Sequence, residues 1–302
     1  MIGRWGRYVV AAYKPTFHLP FMIFWAVGLT ALFACVTGGV QRWRPDLGLA
    51  LTAGTLVIDM LLLRALDDIR DQDYDREHNP GRPLPSGVVS ERDLVALVGS
   101  GIALLLLLNA GREVVLLALA GQLGYAVLVI ALDRYAGWPP GDRLVLHLAV
   151  NLPIQTLLSL YVYAAFLRAE QQRVSVVGLM AVVAVTFGAL CLEFGRKATR
   201  RPRPGERTYA TVFGPSVTSA AAFASAAIAT AIVLVALRPW QPDAAGYGWG
   251  WLVLAPLALP AVAAVRFASG ATRWPVAPTL AYIPVMYASF LAVGWLTKGA
   301  SV

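Results

Sequence analysis

Asp67-Asp68-Ile69-Arg70-Asp71-Gln72-Asp73-Tyr74-Asp75, followed by Arg76-Glu77-His78-Asn79-Pro80-Gly81-Arg82-Pro83-Leu84-Pro85-Ser86-Gly87, ends an apolar run that starts near Leu47. On a helix of about 3.6 residues per turn, Asp68, Asp71 and Asp75 fall at i, i+3 and i+7, with Asp67 one turn before Asp71. Four carboxylates are therefore expected on one face. Like charges one turn apart repel, so the cluster calls for a cation. The donors are hard oxygens, with no Cys and no well-placed His, which points to Mg²⁺ rather than zinc or copper. A solvated acidic helix end is the plainer reading of such a run, and its position at the end of a membrane helix weighs against it.

The membrane assignment comes from composition. Of 302 residues, 58% are hydrophobic and only 14% charged, and the mean hydropathy is +0.64. These values lie outside the range of soluble domains and identify a polytopic membrane protein. Cys35 and Cys191 both fall in apolar stretches and read as small core residues rather than a disulfide framework. A net charge of +8 is compatible with nucleic acid, but the cations are scattered between apolar blocks without a basic stripe, so no nucleic-acid partner is expected.

Apolar runs of about 20 residues give nine expected spans at 17–39, 47–68, 92–110, 113–132, 144–167, 174–195, 209–237, 247–265 and 277–297. The first lacks a small-residue cleavage site and reads as a retained span. With the N-terminus inside, 18 of the 25 Lys and Arg residues fall on the cytoplasmic side, which sets the orientation by the positive-inside rule. The charged loops after spans 2 and 6 share that side and lie four helices apart. The expected architecture is all-α: one transmembrane domain over 1–302, built as two four-helix halves plus a ninth helix around a central cavity.

Nine spans, the Asp67-Asp68-x-x-Asp71-x-x-x-Asp75 pattern and Arg82-Pro83-Leu84-Pro85-Ser86-Gly87 together resemble the UbiA-type intramembrane prenyltransferase family. Its first motif is usually Asn-Asp-x-x-Asp-x-x-x-Asp followed by Arg-Pro-Leu-Pro-x-Gly; here Asp67 stands at the Asn position and keeps an oxygen donor. The resemblance implies that Asp67, Asp68, Asp71 and Asp75 hold Mg²⁺ against the diphosphate of a prenyl donor. Asp68 and Asp71 would be catalytic, with Arg76 and Arg82 adding charge-assisted contacts to the phosphates. It also implies a basic residue in the loop after span 4, where the chain has Asp133-Arg134, so Arg134 is carried over.

The family's second acidic cluster, at the end of span 6, corresponds to Glu193-Phe194-Gly195-Arg196-Lys197-Ala198-Thr199-Arg200-Arg201, followed by Pro204-Gly205-Glu206-Arg207. Only Glu193 is acidic at the expected motif positions, and Lys197 occupies the place of a central aspartate. Two readings stand. In one, Glu193 helps a metal while Arg196 and Lys197 contact the diphosphate, with Lys197 catalytic. In the other, the cations balance the acidic loop. Glu193, Arg196 and Lys197 share a helix face at i, i+3 and i+4, which favours the first reading for them; Arg200, Arg201 and Arg203 fit the second.

Other polar residues at membrane depth are Asp59, about two turns before Asp67, and His18, Gln122, His147, Asn151 and Gln155; interhelical hydrogen bonds are their expected role. The expected activity is Mg²⁺-dependent transfer of a prenyl group from a prenyl diphosphate to an aromatic acceptor. The alternative is a membrane terpene cyclase on the same fold, acting without an acceptor. An ion or phosphate-ester transporter is disfavoured, because the carboxylates lie at a helix end rather than at the midplane. Heavy Ala, Leu, Val and Arg usage points to a GC-rich bacterial genome, hence a bacterial cytoplasmic membrane with the active-site loops cytoplasmic.

Overall fold

The computed structural model describes residues 2–141, 143–202 and 208–299. The described chain is helical, and its single strand-like feature is an isolated bridge between Thr199 and Arg273. The helices are α1 (Ile2–Tyr8), α2 (Pro15–Val36), α3 (Leu47–Arg70), α4 (Gln72–His78), α5 (Glu91–Leu108), α6 (Glu113–Ala136), α7 (Leu144–Ala169), α8 (Val176–Arg196), α9 (Tyr209–Phe213), α10 (Pro215–Leu237), α11 (Ala258–Ala268) and α12 (Val276–Lys298). A π turn, Val9–Tyr13, follows α1, and a 3-10 stretch, Trp249–Leu257, runs into α11.

Among the described residues eight helical segments are long and apolar enough to cross a membrane, as in an integral membrane protein. The remaining expected span, 92–110, is α5. Its 18 residues open on Glu91, Arg92 and Asp93, so fewer are left to lie in hydrocarbon. Ser90 caps it reciprocally with Asp93, satisfying free N–H groups of the first turn.

Three expected spans differ in detail. The one at 209–237 breaks at Gly214, whose φ of 81° is open to glycine, and restarts with Pro215 at the first helical position. The one at 247–265 begins as 3-10 helix, because Pro256 and Pro260 supply no N–H for an α-helical bond. After Arg70 the chain passes Asp71 at φ −85°, ψ 7° and re-enters helix as α4. Hydrogen bonds from the Asp71 amide to Asp67 and from the Asp75 amide to Asp71 keep helical spacing across that junction.

The chain forms two compact units. The first runs from the N-terminal segment to Ala26 and adds Leu47–Ala165; the second is Val27–Asp46 with the chain from Phe166 onward. The boundaries fall inside α2, immediately before α3 and inside α7.

In the first unit, α3 packs against α5 and α6. Around its end, Tyr8, Ala65, Ile69, Leu84, Val89, Leu94, Leu97 and Val98 form a buried cluster. In the second, α8 packs on α10 and α12, and Ala198, Ala222, Ala263, Phe267 and Trp274 form a core.

Candidate active site

At about 100° per residue, the four aspartates of the first motif spread over an arc rather than a line, with Asp67 and Asp71 on one edge and Asp68 and Asp75 on the other. Tertiary packing turns that arc into two pairs of different character. The side chains of Asp67 and Asp71 are 42% and 38% exposed, whereas those of Asp68 and Asp75 are 3% and 2% exposed.

The exposed pair shares one guanidinium. Arg70 lies 3.0 Å from Asp67 Oδ1 through Nη1. It donates to Asp71 through Nε at 2.8 Å and Nη2 at 3.3 Å. The same Nε is 3.7 Å from Asp133 Oδ2, and His147 Nδ1 lies 3.9 Å from that oxygen. Arg70 therefore supplies the cation that the acidic cluster demands.

The buried pair is held from other elements. Asp68 accepts from Arg64 Nη2 at 2.6 Å and from the Tyr8 hydroxyl at 2.9 Å. Asp75 accepts from Arg82 Nη1 at 2.6 Å and Asn79 Nδ2 at 2.8 Å. Arg82 also approaches Asp68 Oδ1 at 3.9 Å. Burial, and next the Asp68 carboxylate, hold the Tyr8 phenol well above the usual tyrosine range, so its hydroxyl stays a donor.

Arg76 and Arg134 meet at a neighbouring residue instead. They donate to opposite oxygens of Asp73, at 3.1 and 2.7 Å. Both arginines are thus engaged by Asp73, the one aspartate of the stretch outside the motif.

In the second unit, Glu193 at the end of α8 accepts from Lys197 Nζ at 2.5 Å and Tyr209 at 3.2 Å on Oε1, and from Arg196 at 3.0 Å on Oε2. The Lys197 ammonium lies 4.9 Å from the Tyr209 ring centroid, a cation–π distance. Phe194 packs edge-on against the same ring at 5.0 Å. Burial and the adjacent carboxylate push the Tyr209 hydroxyl up as well. Two cations on one carboxylate leave this cluster with a net positive charge. Arg200 is occupied elsewhere, donating to the Phe267 carbonyl and stacking on its ring. Arg203, Pro204, Gly205, Glu206 and Arg207 lie outside the described residues.

Among the described residues no three His, Cys, Asp or Glu side chains gather as a metal cage. The exposed pair offers two carboxylates in reach of one cation.

Deeper in α3, Asp59 is fully buried and accepts from Gln122 Nε2 at 3.2 Å, an interhelical bond. Among the described residues Asp59 Oδ1 and Gln122 Oε1 find no hydrogen-bond partner. Asn151 donates to the His147 carbonyl within α7.

Sequence reasoning passed over Arg70, Arg64, Tyr8 and Asp133. The first two had a local signal, since Arg70 lies at i+3 from Asp67 and Arg64 at i−4 from Asp68. Tyr8 and Asp133 had none, because they reach the motif only through tertiary packing.

No family profile matches the chain, and no curated protein does. Solved structures do. A UbiA homologue from Archaeoglobus fulgidus, solved with DMAPP and Mg²⁺, is 16% identical, with 97% of this chain and 100% of that one covered at a TM-score of 0.62. The apo structure of a UbiA homologue from Aeropyrum pernix K1 is 19% identical, with 92% and 97% covered at a TM-score of 0.61. This chain has the fold of the UbiA homologues over nearly its whole length.

Proposed function

We propose that this protein is a UbiA-type, Mg²⁺-dependent intramembrane transferase that moves a prenyl group from a prenyl diphosphate to an aromatic acceptor. The observation that carries the reading is the exposed Asp67 and Asp71 pair at the end of a membrane helix, bridged by Arg70 where a cation is required. Shared fold with a homologue solved with DMAPP and Mg²⁺ supports it.

The donor set suits the metal. Magnesium takes hard oxygens, binds through one or two carboxylates plus substrate phosphates, and needs no all-protein cage. Asp67 and Asp71 would hold it, and Arg70 is the cation that would yield its place. Bound there, Mg²⁺ supplies positive charge to the departing diphosphate. Asp68 and Asp75, engaged by Arg64, Arg82, Tyr8 and Asn79, support Arg82 as a phosphate contact, and Arg76 and Arg134, both paired with Asp73, would be the further phosphate contacts. Glu193 anchors Lys197 and Arg196, the two cations that the family resemblance would assign to a diphosphate in place of a second metal. Apolar helix surface excludes water from the allylic cation. In the reaction the allylic C–O bond breaks and its electron pair leaves on the diphosphate. The acceptor carbon forms the new C–C bond, and its ring proton passes to the released diphosphate.

The purified protein in detergent, given Mg²⁺ and geranyl, farnesyl or geranylgeranyl diphosphate, tests this. Diphosphate release that waits for an added aromatic acid or phenol supports transfer. A cyclic hydrocarbon or terpene alcohol formed without acceptor identifies a cyclase, and no release under either condition removes the reading. Asp71→Ala is expected to lower Mg²⁺-dependent turnover at least about 100-fold with little change in melting temperature, because the Asp71 side chain is partly exposed and makes no cap hydrogen bond to α4.

A further inference from the structure

α1 is pinned to the acidic end of α3 and the start of α5. Trp5 Nε1 donates to the Asp93 carbonyl at 2.9 Å, and Arg4 pairs with the Asp93 carboxylate at 3.2 Å. Between these anchors and the π turn, Tyr8 is fully buried in the cluster around Ala65, Ile69 and Leu84, and its hydroxyl donates to Asp68 Oδ2.

Asp68 is a poor metal ligand as it stands. Arg64 takes Oδ1 at 2.6 Å, Tyr8 takes Oδ2 at 2.9 Å, and the side chain is almost wholly buried. What it does reach is Arg82, 3.9 Å away. Arg82 is fixed on its other side by Asp75 at 2.6 Å. Among the described residues the Arg82 side chain makes that one hydrogen bond, so its Nε and Nη2 groups retain donors for an anion. The Arg82 side chain is about a third exposed, at the edge of the buried layer.

We propose that Tyr8 is a positioning residue for diphosphate binding: its hydroxyl fixes Asp68, and Asp68 with Asp75 holds the Arg82 guanidinium where its remaining N–H groups meet a phosphate. This rests on the diphosphate reading above and adds a residue from the N-terminal helix to it. Tyr8 touches neither phosphate nor metal. A guanidinium held by two fixed carboxylates has its fork oriented in advance, and less conformational freedom is lost when the anion binds. Without the hydroxyl, Asp68 keeps only Arg64 as a close partner and can rotate toward it, away from Arg82.

Calorimetric titration of the full-length protein with inorganic diphosphate in Mg²⁺ tests the chain of contacts. Tyr8→Phe, which keeps the packed ring, is expected to weaken diphosphate binding about 5- to 10-fold. In an Arg82→Gln background the same substitution is expected to change affinity by less than about twofold, since the path runs through Arg82. Asp68→Asn removes the carboxylate charge and one of its two acceptor oxygens, which weakens the hold on Arg82 from the other side of the same contact, and is expected to lose at least as much affinity as Tyr8→Phe. A merely structural tyrosine would shift the melting temperature and leave diphosphate affinity alone. Unchanged affinity in Tyr8→Phe, an equal loss in both backgrounds, or an intact Asp68→Asn each overturns the proposal. A wild-type protein that binds no inorganic diphosphate in Mg²⁺ overturns the functional reading itself, and this proposal with it.

Discussion

Lys197 is the residue at which this chain departs furthest from the acidic pattern its second motif resembles. It binds Glu193 at 2.5 Å and lies over the Tyr209 ring, so its ammonium is held in place rather than free on a flexible stem. A fixed cation can do part of the work of a metal on a diphosphate, and without exchange. Lys197→Asp would set a second carboxylate one turn from Glu193 and remove that charge. It is expected to lower turnover roughly 10- to 100-fold, the loss of one charge-assisted contact. Steady-state rates with a prenyl diphosphate check this, and preserved or raised activity shows that Lys197 makes no such contact. The i, i+3, i+4 grouping of Glu193, Arg196 and Lys197 was legible in the sequence because it is local to one helix. Tyr209, 16 residues further on, was not, since only the return of the chain through α9 brings its hydroxyl to Glu193.

Helix contacts within each unit depend on small residues of unequal tolerance. A Cβ on Gly28 in α2 would collide with the backbone carbonyl of Tyr287 in α12. A Cβ on Gly101 in α5 would meet only the end of the Leu62 side chain in α3. A leucine tip can change rotamer, whereas a carbonyl within a helix moves only with its helix. Gly28→Ala is therefore expected to destabilise the protein by about 1–3 kcal/mol, and Gly101→Ala by clearly less, as read from melting temperatures in one detergent. Periodicity and apolar length located these helices to within a few residues. They did not locate the breaks at Asp71 and Gly214, nor the 3-10 entry to α11. The single-residue φ/ψ choices that make such breaks leave the hydropathy of a span unchanged.

At the scale of the whole molecule, we propose from the distribution of Lys and Arg that the motif loops lie on the cytoplasmic side. Cys35 and Cys191 are both buried, which leaves a quiet background for a membrane-impermeant maleimide. With both native cysteines in place, Ser86→Cys is expected to label in inside-out membrane vesicles and to be protected in right-side-out ones. Asp243→Cys is expected to behave in the opposite way. The reverse pattern would place the aspartate motif outside and invert the orientation.

An all-helical membrane protein with a carboxylate cluster at the end of its second span was determined by the sequence alone. The reason is local: in hydrocarbon each backbone N–H must be bonded within its own helix, so span length and apolarity are properties of contiguous residues. The same locality put the four motif aspartates within about one quadrant of a helix surface. Which of them faces solvent and which is buried was decided only by tertiary structure. Tyr8 comes to Asp68 across 60 residues of chain, and Asp133 comes to Arg70 from the far end of α6. The exposed Asp67 and Asp71 pair and the buried Asp68 and Asp75 pair have identical side chains, and what separates them is the partner that packing brings to each.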